Sequence, residues 1–293
     1  MYFIVLFISY ILCARIYYLY YFSPSSKVIS NFYLNETIQN QDFCEKQPPY
    51  LTILVFSIAE CIDKRQVIRE TWGNVNHYPE KMKRFKVLFL LFKRPSIILN
   101  DKVKSEGEMY KDILLFDFTE SYFHSMYKIM SGYIWIQEHC PGTQFIAKAD
   151  DDVLLDIVML LNKLYQNMDK KDEAIFGSSV KFGHTKRFGK HPVSYKAYPF
   201  IMYPRYCIGP LYVMSSEMAF RTIHPSSRLT FVWPEDVFLT GIVREVLKFN
   251  IIELKLEENV NSSEFPSNVS VAFYELKPSE IRDTWTKLQN KDV

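Results

Sequence analysis

The chain has little net charge. Its 35 Lys and Arg against 33 Asp and Glu leave +2 at neutral pH with His uncharged. This balance argues against nucleic acid as the main partner, because phosphate binding needs a concentrated basic face. Internal repeats are absent. No basic residue precedes the apolar N-terminal stretch, so Lys/Arg asymmetry does not orient it, and no clear small-x-small cleavage site follows it. What remains is ordinary globular composition: 293 residues, 48% hydrophobic and 23% charged, enough for one large domain or two small ones. Aromatics reach 16%, which suits a large core and, at some positions, sugar stacking.

Residues 1–22, MYFIVLFISYILCARIYYLYYF, are apolar except for Arg15. A membrane-spanning helix needs about 20 such residues. Arg15 would cost roughly 2.5–3.5 kcal/mol at the centre of a span, but it lies past the middle and can snorkel to an interface. The segment therefore reads as an uncleaved signal-anchor helix, ahead of a signal peptide with Met1–Leu12 as its apolar region or a buried core helix. Three sequons, at Asn35, Asn261 and Asn268, point to a lumenal chain. Cys13 falls in the span. Cys44, Cys61, Cys140 and Cys207 remain, allowing two disulfides of unknown connectivity or buried free thiols.

Residues 23–49 are polar, end in Pro48-Pro49 and read as a stem or linker. From Tyr50 the pattern changes. Leu51–Ile58, Phe85–Phe92, Ile113–Phe118 and Phe145–Ala149 are continuous apolar runs, as expected of buried parallel strands. Helical stretches intervene: Arg65–Trp72 behind Asp63 as N-cap, Ser121–Gln137, and Asp156–Met168. The alternation predicts a three-layer α/β sandwich over residues 50–293, with ligands at the carboxyl ends of the strands.

One such end carries Asp150, Asp151 and Asp152. Adjacent carboxylates repel and require a partner for their charge. Mg²⁺ or Mn²⁺ shared with substrate phosphates would supply it; a solvated acidic turn is the plainer reading. Arg65 and Arg69, at i and i+4, share a helix face and suit a diphosphate, a carboxylate or an exposed salt bridge. Glu235 and Asp236 follow Pro234 at a predicted helix start. They suit general-base chemistry or simple complementation of the helix dipole.

Six motifs in order carry a resemblance: Arg65-x-x-Ile68-Arg69-x-Thr71-Trp72-Gly73; Glu108-x-Tyr110-x-Asp112-Ile113; Asp117 with Ser121-Tyr122, Lys128 and Trp135; Lys148-x-Asp150-Asp151-Asp152-Val153; Tyr203-Pro204-x-Tyr206-Cys207-x-Gly209-x-x-Tyr212-Val213-x-Ser215; and Glu235-Asp236-Val237-x-x-x-Gly241. From about Leu51 to Trp285 the chain resembles the β-1,3-galactosyltransferase family, which includes β-1,3-N-acetylglucosaminyltransferases and is related to the Fringe enzymes. The resemblance implies a Rossmann-like, GT-A type catalytic domain in a single-pass type II Golgi membrane protein. It implies inverting transfer of galactose from a UDP-sugar to a 3-hydroxyl of an acceptor glycan on glycoprotein or glycolipid, with Mn²⁺. By position, Asp152 would be the main metal ligand. Asp150 and Asp151 would hold the ribose and assist the metal. Arg65, Arg69, Thr71, Trp72 and Lys148 would line the UDP site. Glu235 and Asp236 would be the catalytic pair, with Asp236 as base.

The chain departs from the pattern in places. The family's metal-binding His, four residues before a Pro, stands here as Tyr274 before Pro278, and a neutral Tyr is a poor Mn²⁺ ligand. No His lies in a matching place, although His184 or His191 could reach the site from a loop. The family's Asn-Leu-Thr is His124-Ser125-Met126, and the cysteine that follows Glu-Asp-Val is missing, so Cys207 would lack its usual partner. The chain reads as a divergent member. Two rivals stay open: an N-acetylglucosaminyltransferase of the same family, and a non-catalytic glycan-binding or chaperone-like relative. Tyr274 favours the latter; the intact carboxylates oppose it. A secreted binding protein would follow if residues 1–22 were cleaved.

Overall fold

The computed structural model describes residues 31–38, 40–44, 48–189, 192–258 and 269–290. Residues 1–22, His191 and the sequon asparagines at 261 and 268 lie outside them. Among the described residues no helix is long and apolar enough to cross a membrane.

The four apolar runs become adjacent parallel strands: β2 (Leu51–Phe56), β3 (Phe85–Lys93), β4 (Ile113–Thr119) and β5 (Phe145–Asp150). β2 pairs in register with β3 on one side and β5 on the other. Both faces of β2 are covered: Leu54 enters one core cluster, while Leu51, Ile53 and Val55 enter the other. A strand buried on both faces reads as a continuous apolar run, and each buried side chain contributes about 1.5–3 kcal/mol. β1 (Glu36–Ile38) borders β4, and β7 (Ala174–Val180), β8 (Tyr206–Ser215) and β9 (Asn250–Glu253) extend the far side, giving the order β1-β4-β3-β2-β5-β8-β7-β9. A small second sheet runs β10 (Leu256–Glu258), β11 (Ala272–Tyr274), β6 (Leu154–Leu155).

Helices cover both faces, as the three-layer reading expected. α1 (Ile62–Glu70), α2 (Ile97–Tyr110), α4 (Ile157–Gln166) and α7 (Pro278–Gln289) contribute buried side chains to one core cluster; α3 (Ser125–His139), α5 (Ser216–Ser226) and a π-helix at Val237–Val243 contribute to the other, and the short α6 (Arg244–Leu247) continues the π-helix. α1 begins earlier than expected. Cys61 holds its N-cap position, and Asp63 sits in the first turn, where its charge complements the dipole. Asp156 caps α4 by accepting the Met159 N–H at 2.8 Å. Gly132 lets α3 lie close on the sheet, because a Cβ there would come 2.7 Å from Leu90 Cδ1.

The stem expectation needs correction. Polar composition concealed a few anchors: β1 pairs with β4, Phe32 and Phe43 are buried, and Ser131 Oγ donates to the Phe32 carbonyl at 3.0 Å. Cys44 and Cys140 form a disulfide across 96 residues, while Cys61 and Cys207 are free thiols. Part of the segment before Tyr50 is thus integral to the fold. In the chain-entropy account a bridge closing a loop near 100 residues contributes about 4.7 kcal/mol. Cys140→Ser should therefore shift the guanidinium unfolding midpoint well downward, and Cys44→Ser should match it. An unmoved midpoint would mean that the bridge does not support the fold.

Candidate active site

A cleft of about 430 Å³ opens where the parallel strands end. Ser57 follows β2, Asp150 ends β5 and Asp151 follows it; all three line the cleft with Lys64, Lys148, Glu235 and Asp236. Parallel pairing of Phe56 with Asp150 brings Ser57 beside Asp151. Ser57 Oγ donates to Asp151 at 2.8 Å, and Lys64 Nζ donates to its other oxygen at 2.8 Å. Lys64 also reaches Asp152 at 3.4 Å. Burial opposes the Lys64 charge, but Asp151 and Asp152 outweigh it and hold the ammonium above its usual range. Asp152 is held above the usual carboxylate range by burial and by the Asp150 charge. Neither Ser57 nor Lys64 was singled out from the sequence. Their partners lie 94 and 87 residues away, and only strand pairing reveals them.

Lys148 is buried. Residues 148 and 150 share a strand face, and the ammonium donates to Asp150 and to the Gly209 carbonyl, each at 2.6 Å. Glu235 stands 3.9 Å away on the other side and accepts the Tyr212 hydroxyl at 2.9 Å. Tyr212 is the strand partner of Lys148. Burial drives Glu235 up to about 7; Asp236 and Asp150 add to this and Lys148 opposes it. Asp236 heads the π-helix, its Oδ1 accepting the Val237 N–H at 2.8 Å and its Oδ2 near Gly209. Burial raises Asp236 too, against the Val237 N–H and Lys148. Thr240 Oγ1 donates to the Asp236 carbonyl at 2.6 Å and accepts the Cys207 N–H at 2.8 Å, so the helix start is tied to β8. A carboxylate with an open oxygen and a raised proton affinity is suited to removing a proton.

The other expected UDP contacts lie elsewhere. Arg65 is 0% exposed. Its five N–H groups are spent on Glu106 (2.8 and 2.6 Å), Ser57 Oγ (3.0 Å) and the carbonyls of Ile58 (2.6 Å) and Ala59 (3.5 Å). Arg69 pairs with Asp112 at 2.7 and 2.9 Å and with Glu106 at 2.8 Å. Both guanidiniums bind carboxylates of the protein, not a diphosphate. Arg65 orients Ser57, which holds Asp151. Thr71 donates to the Val67 carbonyl at 2.6 Å, and Trp72 Nε1 to the Val153 carbonyl at 2.9 Å; both are buried and support the loop after the aspartates.

Among the described residues no three His, Cys, Asp or Glu side chains converge as a metal cluster. Tyr274 sits on β11 beside the strand that follows the aspartates, but its hydroxyl donates to Glu258 at 3.3 Å and it does not line the cleft. His184 does line the cleft. The donor set still fits a hard divalent cation shared with substrate phosphates, which takes only one or two protein carboxylates. The side chains of Asp152 and Asp150 are 36% and 37% exposed; Asp150 lines the cleft, whereas Asp152 lies just outside its lining.

An α/β sandwich whose strand ends bring clustered carboxylates, a buried and a half-buried ammonium and a raised carboxylate pair into one cleft has the parts of a glycosyl-transferring enzyme. The comparisons agree. The family model described as Galactosyltransferase matches residues 63–255. Beta-1,3-galactosyltransferase 5 of Mus musculus is 30% identical over 259 residues, covering 84% of this chain and 81% of that one. The Homo sapiens protein of the same name is 30% identical over 257 residues, covering 84% and 81%. A solved galactosyltransferase, LgtC in complex with donor and acceptor sugar analogues, aligns with a TM-score of 0.44 at 10% identity over 82% of this chain and 94% of that one, too loose a likeness to bear on the chemistry. The chain belongs to the galactosyltransferase family and is a glycosyltransferase.

Proposed function

We propose that the protein is an inverting β-1,3-galactosyltransferase that moves galactose from UDP-galactose to the 3-hydroxyl of an acceptor glycan on glycoprotein or glycolipid. The observation that carries this reading is Asp236 at the cleft, with Lys148, Asp150 and Asp151 lining it too. Asp236 takes the acceptor hydroxyl proton as that oxygen attacks the anomeric carbon. The new C–O bond forms on the face opposite UDP, and the bond to the diphosphate oxygen breaks. Lys148 moderates the charge of Glu235 and Asp150. Lys64 does the same for Asp151 and Asp152. Mn²⁺ on Asp152 and Asp150 would neutralise the diphosphate leaving group.

We assign the protein to the Golgi membrane, with residues 1–22 as signal-anchor and the remainder lumenal. The apolar N-terminus, the exposed sequon at Asn35 and the Cys44–Cys140 disulfide support that compartment, since disulfides persist where the environment is oxidising.

The test is UDP release by the full chain with UDP-galactose or UDP-N-acetylglucosamine and a panel of acceptors. Faster turnover with UDP-galactose is expected. Preference for the other donor would convert the reading to an N-acetylglucosaminyltransferase. Asp152→Ala should weaken UDP affinity in the presence of Mn²⁺ by about tenfold or more, the scale of one lost charge-assisted contact. Unchanged calorimetric affinity would place the metal elsewhere.

A further inference from the structure

The proposed transfer uses the aspartates, Lys148 and the carboxylate pair. It leaves the aromatic rim of the cleft without a role. Tyr122 and Trp233 line the same cleft as Asp236. They come from distant stretches: Tyr122 from the short 3₁₀ turn Tyr122–His124 that leads into α3, Trp233 from the residues just before Pro234-Glu235-Asp236. Their rings meet edge to face, with centroids 5.3 Å apart at 62°. Phe123 meets the same indole at 5.2 Å and 71°. The indole is oriented as well as packed, because Trp233 Nε1 donates to the Pro192 carbonyl at 3.0 Å. Yet Tyr122 is 63% exposed and Phe123 55% exposed.

A pyranose offers one face of C–H groups and a rim of hydroxyls. The C–H face suits an aromatic ring, and the hydroxyls suit carboxylates. The shelf formed by Tyr122 and Trp233 supplies the first beside a carboxylate that supplies the second. The acceptor's reacting hydroxyl must come within about 2.6–3.2 Å of the base, and the shelf lines the same cleft as Asp236, where the acceptor's ring has to rest. The Tyr122 hydroxyl is held above its usual range by burial of its tip and by the charges of Asp236, Asp150 and Glu235.

We propose that Tyr122 and Trp233 form the acceptor subsite: they stack on the C–H face of the acceptor's terminal hexopyranose and aim its hydroxyl at Asp236. This rests on the reading that the cleft transfers a hexose. The experiment therefore measures saccharide binding without turnover. Saturation-transfer NMR would be recorded on the full chain with methyl β-galactoside and methyl β-N-acetylglucosaminide, with UDP calorimetry as the control for a folded donor site. Wild type should bind one of them. Trp233→Ala should weaken that binding by about tenfold, an aromatic contact's worth, and Trp233→Phe should restore most of it although the hydrogen bond to Pro192 is gone. Tyr122→Ala, which removes an exposed ring, should weaken binding without disturbing the fold. In the transfer assay the same variants should raise the acceptor KM more than they lower kcat. Wild type that binds neither saccharide, or alanine variants that bind as well as wild type while still binding UDP, would overturn the subsite. Saccharide binding that follows the shelf in a protein without turnover would sink the transfer reading and leave the shelf standing.

Discussion

Asp236→Asn should lower kcat by about 10²–10⁴-fold, the usual contribution of a positioned general base, with UDP affinity preserved. Asparagine keeps the shape and still accepts the Val237 N–H that Oδ1 now accepts. It cannot take a proton. The mechanism has no covalent nucleophile to share the loss, so the effect falls on the chemical step. Near-wild-type turnover in this variant would remove Asp236 as base. The pH dependence follows from the same geometry. Glu235 and Asp236 are both raised, chiefly by burial, Glu235 to about 7, and the adjacent carboxylates titrate as a pair. Transfer should therefore fall on the acidic side, as the pair takes up a proton at a pH above the ordinary carboxylate range. Stability should move the opposite way. A carboxyl whose folded value lies above its ordinary 4.5 stabilises the fold below that ordinary value, and the contribution is lost as pH rises through about 7. Glu235→Gln should accordingly hold its melting temperature between pH 5 and 8 better than wild type does.

Arg65→Ala should cost about 3–5 kcal/mol of stability, the range for removing one partner of a buried ion pair, while UDP affinity at low temperature changes little. Glu106 is itself buried and takes two hydrogen bonds from Arg65, so the truncation leaves an interior carboxylate with Arg69, 2.8 Å away, as its remaining ion-pair partner. Ser57 also loses the donor that orients it towards Asp151, which predicts a modest effect on turnover. Urea denaturation and calorimetry on the same sample separate the two outcomes. A stability loss under about 1 kcal/mol, the scale of an exposed pair, with UDP binding abolished would return Arg65 to the ligand.

The difference between what the sequence disclosed and what it hid is a difference in range. Four apolar runs announced four parallel strands, since a strand buried on both faces has no polar alternation to obscure it. The aspartates at the end of β5 and the carboxylates behind Pro234 were legible because each motif is local. The arginines were half legible. Their i,i+4 spacing correctly put both side chains on one face, but a guanidinium fits a carboxylate as well as a phosphate. Glu106 and Asp112, 41 and 43 residues on, decided the matter. Thr71 and Trp72 carried the family pattern for structural reasons: one closes the helix end, the other holds the Val153 carbonyl. Lys64 and Ser57 gave no signal, because their task depends on β2 lying beside β5. In the stem, two buried phenylalanines and one disulfide outweighed a polar composition.

The central claim is a single-displacement transfer with Asp236 as its one base, and the anomeric configuration of the product tests it most directly. Galactose is α-linked in UDP-galactose. The disaccharide formed by the full-length wild-type protein would be isolated and its new linkage assigned by proton NMR. A β-1,3 linkage is predicted, because attack opposite UDP inverts the anomeric carbon. An α linkage would contradict the mechanism, requiring either a covalent intermediate on the protein or attack from the same face as the leaving group.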